Sequence, residues 1–219
     1  KTALLERTLD ALDASRCAVL VGDLATTRDA ERLGRHCPNV TQINTGKGCH
    51  LDASMIERAM QQIPLPQRGV LFIENVGNLV CPASFDLGEA HKVVILSVTE
   101  GEDKPLKYPD MFRAADLMLL NKCDLLPYLS FDADLAIEYA RRVNPELQVI
   151  RISAISGEGM QGWLEWIKTG KPVAKAGEKL TPEHVREALR PIKDPEILLS
   201  IVDLGLIYGI DVSEDRRRC

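Results

Sequence analysis

Apolar residues recur along this chain in two alternating rhythms. Leu4, Leu5, Leu9 and Leu12 return at helical spacing across residues 3–14, and the unbroken run 17–21 then reads as a buried strand. A short strand is read at 39–44, and further runs rich in valine, isoleucine and leucine lie at 69–73, 92–98, 117–120 and 148–152. Helices are predicted between them over 26–37, with Thr26 or Thr27 as the cap, and over 53–62, with Asp52 as the cap. Three more are predicted near 108–115, 132–143 and 160–168. Strands alternating with helices predict an α/β fold, a parallel sheet with helices on both faces.

In such a sheet, ligands sit at the carboxyl ends of the strands. The polar groups Gly22-Asp23, Asn44-Thr45, Glu74-Asn75, Asn121-Lys122-Cys123-Asp124 and Ser153-Ala154 all follow apolar runs directly, so they converge on one edge. The Asn-Lys-x-Asp group has a chemical logic. The Asp124 carboxylate can accept from both the ring N–H and the exocyclic amine of guanine, and the Lys122 stem can lie along the base. Ser153-Ala154 would back the base with a backbone amide. Glu74 at the end of a run, followed three residues later by Gly77, is the layout of a loop that senses a terminal phosphate. Lys1-Thr2 matches the last two residues of Gly-x-x-x-x-Gly-Lys-Ser/Thr, where the lysine reaches phosphate oxygens and the hydroxyl holds magnesium.

Composition narrows the class. The chain has 219 residues, 45% hydrophobic and 27% charged, with a formal net charge of −5. An acidic balance without a basic stripe argues against a nucleic-acid binder. No run reaches the ~18 apolar residues of a membrane span, and no signal peptide is visible, which together imply a cytoplasmic protein. The six cysteines are scattered, as reduced thiols would be. Three residues offer metal chemistry: Cys49 and His50 in a glycine-flanked turn, and Cys81 before Pro82 in a stretch unsuited to regular helix or strand. Thiolate and imidazole suit zinc, and a sparse mixed set also suits nickel. Three ligands leave a site open or shared with a second chain, as a carrier would need. Cys17 reads as core, and Cys37 and Cys123 suggest no role.

Residues 44–52, 72–89, 97–109 and Asn121-Lys-Cys-Asp124 closely resemble the HypB family of hydrogenase maturation GTPases, over about residues 1–170. The resemblance implies a P-loop GTPase that uses GTP and Mg2+ and carries Ni2+ or Zn2+. It also implies a GTP-linked homodimer, a HypA-type metallochaperone partner and delivery of nickel to the large subunit of NiFe hydrogenase. Carried over by position, the metal ligands are Cys49, His50 and Cys81. Lys1 and Thr2 close the phosphate loop, Asp23 is a switch acid, and Glu74 and Gly77 form the second switch. Asn121, Lys122 and Asp124 select guanine, with Ser153 and Ala154 behind it.

Two features depart from that pattern. The family's first strand and glycine-rich loop precede the Lys-Thr pair, whereas this chain starts at it. The expectation is a sheet missing one central strand, with exposed edges, and weak GTP binding by this chain. After a polar linker at 171–180, residues 185–208 resemble the opening of a MIP18-type iron-sulfur assembly domain, so 181–219 read as a partial module. A non-catalytic metal-binding adaptor with a defective nucleotide site is the alternative that this arrangement leaves open.

Overall fold

A computed structural model describes residues 1–23, 26–46, 48–66 and 69–170. The predicted linker and the partial module lie outside the described residues. In chain order the elements are α1 (Thr2–Ala11), β1 (Cys17–Asp23), α2 (Arg28–Leu33), β2 (Val40–Asn44), α3 (Ala53–Met60), β3 (Val70–Glu74) and β4 (Val93–Ser97). They continue with α4 (Lys104–Lys107), α5 (Pro109–Ala114), β5 (Leu117–Asn121), α6 (Ala133–Val143), β6 (Gln148–Ile152) and α7 (Met160–Thr169). None of the described helices is long and apolar enough to cross a membrane.

Every strand pair is parallel, and the strands fall into two sheets of three, ordered β2-β1-β3 and β4-β5-β6. Among the described residues no ladder joins β3 to β4, so each is an edge. Side chains connect what hydrogen bonds do not. α1 places Leu4 against Leu117, Leu119 and Ile152 of the second sheet, and Leu9 against Cys17, Val19 and Val21 of the first. Phe72 on β3 packs into both groups. The buried Trp163 indole donates to Thr8 Oγ1 at 2.9 Å, pinning α7 to α1.

Period-two burial then covers both faces. On β1, Cys17, Val19 and Val21 face α1 and α2, while Ala18 and Leu20 join Leu51, Ile56 and Ala59 around α3. In the second sheet, Val94, Leu96, Met118 and Leu120 pack on Met111, Phe112, Ala136 and Ala140 of α5 and α6. The continuous apolar runs of the sequence have this cause: a strand buried on both faces has no polar side to alternate.

Helix ends differ from expectation where capping chemistry competes. α2 is shorter than 26–37 because Thr26 bonds back to Asp23, through its amide at 3.2 Å and its hydroxyl at 3.4 Å, while the Thr27 hydroxyl donates to Glu31. α1 stops at Ala11, and Asp13 instead caps a tight turn over Ala14–Arg16. The predicted helix near 108–115 begins at Pro109, whose ring disfavours a helical residue before it, so Tyr108 separates α4 from α5. Asp52 caps α3 by accepting from the Met55 amide at 2.8 Å.

Candidate functional site

Within each sheet the strands point their carboxyl ends the same way. Gly22-Asp23, Glu74-Asn75, Asn121-Lys122, Asp124 and Ala154 line two adjoining cavities, whereas Asn44 and Thr45 line neither. The larger, about 360 Å³, is lined by Lys1, Thr2, Gly22, Asp23, Glu74 and Gly77 among others. The smaller, about 130 Å³, is lined by Asn121, Lys122, Asp124 and Ala154, with Lys1 common to both.

In the larger cavity the Thr2 hydroxyl donates to Glu74 Oε1 at 3.1 Å, and Lys1 Nζ lies 3.8 Å from the same carboxylate while donating to the Asn75 carbonyl. Burial pushes the Lys1 ammonium below its ordinary range and the Glu74 carboxyl above it, and each group's charge offsets part of the other's shift. Glu74 Oε2 is buried without a hydrogen-bond partner among the described residues. An orphaned carboxylate oxygen beside a hydroxyl and a second acid is a donor set that suits a hard cation, so these residues fit Mg2+. Asp29, on the first turn of α2, is a third acid on this wall that the sequence reading missed. Gly77 keeps the far wall low: a Cβ there would meet only Lys1 Nζ, at 3.9 Å.

The smaller cavity is shaped by one strained residue. Lys122 adopts φ 65°, the only described non-glycine residue with positive φ, at a cost of about 1–2 kcal/mol. The left-handed step turns Cys123 into the core and leaves Asp124 at the cavity wall. The buried Ser153 hydroxyl donates to Asp124 Oδ1 and accepts from the amides of Ile155 and Ser156 at 3.2 and 3.1 Å. Of the pair Ser153-Ala154, one amide is already committed. The Ser153 amide donates to the Glu158 carbonyl at 2.9 Å, so the amide that can back a base is that of Ala154, and Ser153 acts through its hydroxyl. Asn121 Oδ1 is buried without a partner among the described residues.

The third cluster is metal-like. The ligand atoms of Cys49, His50 and Cys81 all lie within 4.8 Å of one another, with Cys49 Sγ 2.6 Å from Cys81 Sγ and 3.6 Å from His50 Nδ1. Its hydrogen bond with Cys49 pushes the Cys81 thiol up. Two thiolates this close repel unless a cation lies between them. Cys81 opens a tight turn over Cys81–Ser84, in the stretch predicted to lack regular structure. Phe85 stacks on the His50 ring at 3.8 Å between centroids and 16° between planes.

Two asparagines join this cluster to the larger cavity. Asn75 Oδ1 accepts from the Leu51 and Val76 amides at 3.0 and 2.8 Å. Asn78 Oδ1 accepts from the Val80 and Cys81 amides, and Asn78 Nδ2 donates to the Cys49 carbonyl at 2.6 Å. The sequence reading singled out neither Asn78 nor Phe85. The available signal was a pair of asparagines flanking Gly77, since asparagine side chains bond readily to nearby backbone.

Residues 1–151 match the CobW/HypB/UreG nucleotide-binding domain family, and residues 182–217 match the iron-sulfur cluster assembly protein family. The chain is 64% identical over 169 residues to hydrogenase maturation factor HypB of Azotobacter chroococcum, covering 77% of this chain and 55% of that protein. It therefore spans about half the length of that curated relative. Among solved structures it is similar to HypB from Helicobacter pylori in complex with nickel, with TM-score 0.70 and 37% identity, covering 80% of this chain and 85% of that one. HypB from Archaeoglobus fulgidus gives TM-score 0.68 and 37% identity, covering 76% and 82%.

Proposed function

Because the chain belongs to the CobW/HypB/UreG nucleotide-binding family, we propose that it acts in hydrogenase maturation as a GTP-dependent nickel carrier. The observation that supports this most is the convergence of Cys49, His50 and Cys81 within 4.8 Å, on loops tied by Asn75 and Asn78 to the Glu74–Gly77 turn of the phosphate-side cavity. Nickel is the cargo, and the same donors accept Zn2+. Three protein ligands leave coordination positions open, which suits uptake and release better than a closed structural site. The H. pylori relative solved with nickel is consistent with this choice of cargo.

On the nucleotide side, Asp124 would accept from guanine, Lys122 would flank the base, and Asn121 would offer its unpaired oxygen to the surrounding loop. Lys1 would meet the β and γ oxygens of GTP. Thr2, Asp23 and Glu74 would hold Mg2+, which when bound supplies neutralisation of phosphate charge. A γ-phosphate drawing Lys1 toward itself would take that ammonium from the Asn75 carbonyl, and the turn through Gly77 would respond. Since Asn75 and Asn78 also hold the metal-bearing loops, GTP and metal would favour the same arrangement, the condition for coupling. Delivery to the NiFe hydrogenase large subunit, a HypA-type metallochaperone partner and a GTP-linked homodimer follow from the same reading.

The test is nickel titration of the full chain with Cys49→Ala, His50→Ala and Cys81→Ala. Each cysteine variant should lose at least about tenfold in affinity while far-ultraviolet circular dichroism stays that of the parent. Unaltered affinity in all three variants would overturn the ligand assignment.

A further inference from the structure

Between the two metal-bearing loops lies one side chain whose two ends do different work. Asn78 Oδ1 accepts from the Val80 and Cys81 amides at 3.0 and 2.9 Å, which builds the turn that presents Cys81. Two N–H groups against that oxygen leave the amide nitrogen facing the opposite way. There Nδ2 donates to the Cys49 carbonyl at 2.6 Å, across 29 positions of sequence. Cys49 and Cys81 sit on separate loops, one following β2 and the other following β3. β2 and β3 are not neighbours: both pair with β1 and flank it. No ladder therefore holds the two loops in register. Among the described residues, the Cys49 backbone and the Cys81 turn are bridged through Asn78.

The residue also sits next to the nucleotide-facing turn. Gly77 precedes it, and the Asn78 amide donates to the Val76 carbonyl at 2.8 Å. One residue before Val76, Asn75 takes the Leu51 amide, just past His50. The two asparagines thus tie the turn through Gly77 to both sides of the Cys49-His50 pair.

We propose that Asn78 is the positioning residue of the metal site: its side-chain amide sets the separation of the Cys49 and Cys81 sulfurs and ties that separation to the turn through Gly77. This deepens the nickel-carrier reading and rests on it for the identity of the cargo. It does not rest on it for the geometry. The chemistry predicts a separation of roles. Serine at position 78 keeps an acceptor for the two local amides and is too short to reach the Cys49 carbonyl, so it spares the turn and cuts the bridge. Alanine removes both.

Two probes are used on the full chain. Titration with Ni2+ alone, read at the thiolate-to-nickel charge-transfer absorption, should show Asn78→Ser weakened by about 10- to 100-fold with a changed band shape, and melting close to wild type. A merely structural role would shift melting and leave the band shape alone. Phenylarsine oxide, which binds only where two thiols are close, reports loop register without any native metal. Its capture by metal-free Asn78→Ser should be about tenfold slower than by wild type. Asn78→Asp, which keeps the acceptor and loses the donor, is the second variant for the arsenical measurement, where a carboxylate cannot substitute for a thiol. Both variants capturing the arsenical at the wild-type rate, or Asn78→Ser binding nickel within twofold of wild type with an unchanged band, would overturn the proposal. Failure of the nickel reading looks different. Cys49→Ala and Cys81→Ala would leave nickel binding intact, and the arsenical comparison would still decide the role of Asn78.

Discussion

Gly22 is where the sheet packs directly under Leu51, the residue that follows the Cys49-His50 pair. It lies near the end of β1, paired in the ladder with Ile43, and a Cβ built on it would stand 2.8, 2.9 and 2.9 Å from three carbon atoms of Leu51. Relaxed carbon contacts are about 3.5–4.0 Å, so Gly22→Ala forces a movement of several tenths of an ångström. Leu51 has nowhere free to go: it is 0% exposed and packed with Ala18, Leu20 and Ile56. Overpacking of this kind costs about 1–3 kcal/mol, or about 2–4 °C of melting temperature per kcal/mol for a domain this size. Because the Leu51 amide also bonds to Asn75, the displacement should pass to His50 and weaken nickel binding. The assay is a double-mutant cycle by denaturant unfolding. Leu51→Ala alone should cost about 2–5 kcal/mol, and the double variant should cost less than the sum of the two singles, because the cavity receives the new methyl group. Strictly additive costs, or a Gly22→Ala protein that unfolds with wild type, would refute the steric account.

Other consequences are equally open to measurement. Burial raises the Glu74 carboxyl above its usual range near 4.5. A raised acid contributes stability that is present below the ordinary value and lost as pH rises through the folded value. Glu74→Gln should therefore stabilise the nucleotide-free protein at about pH 8, with the gain shrinking toward pH 4.5 in denaturant melts, and a gain independent of pH would contradict the burial argument. Asp124→Asn replaces an acceptor with a donor on one side of the base, so it should cost guanine nucleotides at least about tenfold in affinity and favour xanthine nucleotides, in competition binding with a fluorescent analogue. An unchanged guanine preference would remove Asp124 from the base site. Phe85→Ala removes the ring stacked on His50, and nickel affinity should fall by about two- to tenfold with little change in melting; no change would mean that the imidazole is held by other contacts.

Much of the architecture was legible in the linear pattern because the forces that set it are local or periodic. Apolar runs buried on both faces mark β1, β4 and β5, and Asp52 bonds the amide three residues on, as the N-cap expected from the sequence does. Asp132 does the same from the position just before α6, although the sequence placed it inside that helix. Motifs placed just after the runs of one sheet share an edge, since parallel strands end on the same side. Less was legible at α2 and α1, where Asp23 and Asp13 drew backbone amides into turns that compete with the helix.

What the chain order alone determined is the alternation of strand and helix, the chemical types at each strand end, and the cysteine and histidine inventory. What only the tertiary structure decided is which of these meet. The division into two sheets spanned by α1, the approach of Asp29 to the phosphate-side cavity and the Asn78 bridge between Cys49 and Cys81 all join residues far apart in sequence. No periodicity encodes such pairings. They arise when burial closes the loops and each side-chain amide or carboxylate must find the partner that folding has brought within about 3 Å.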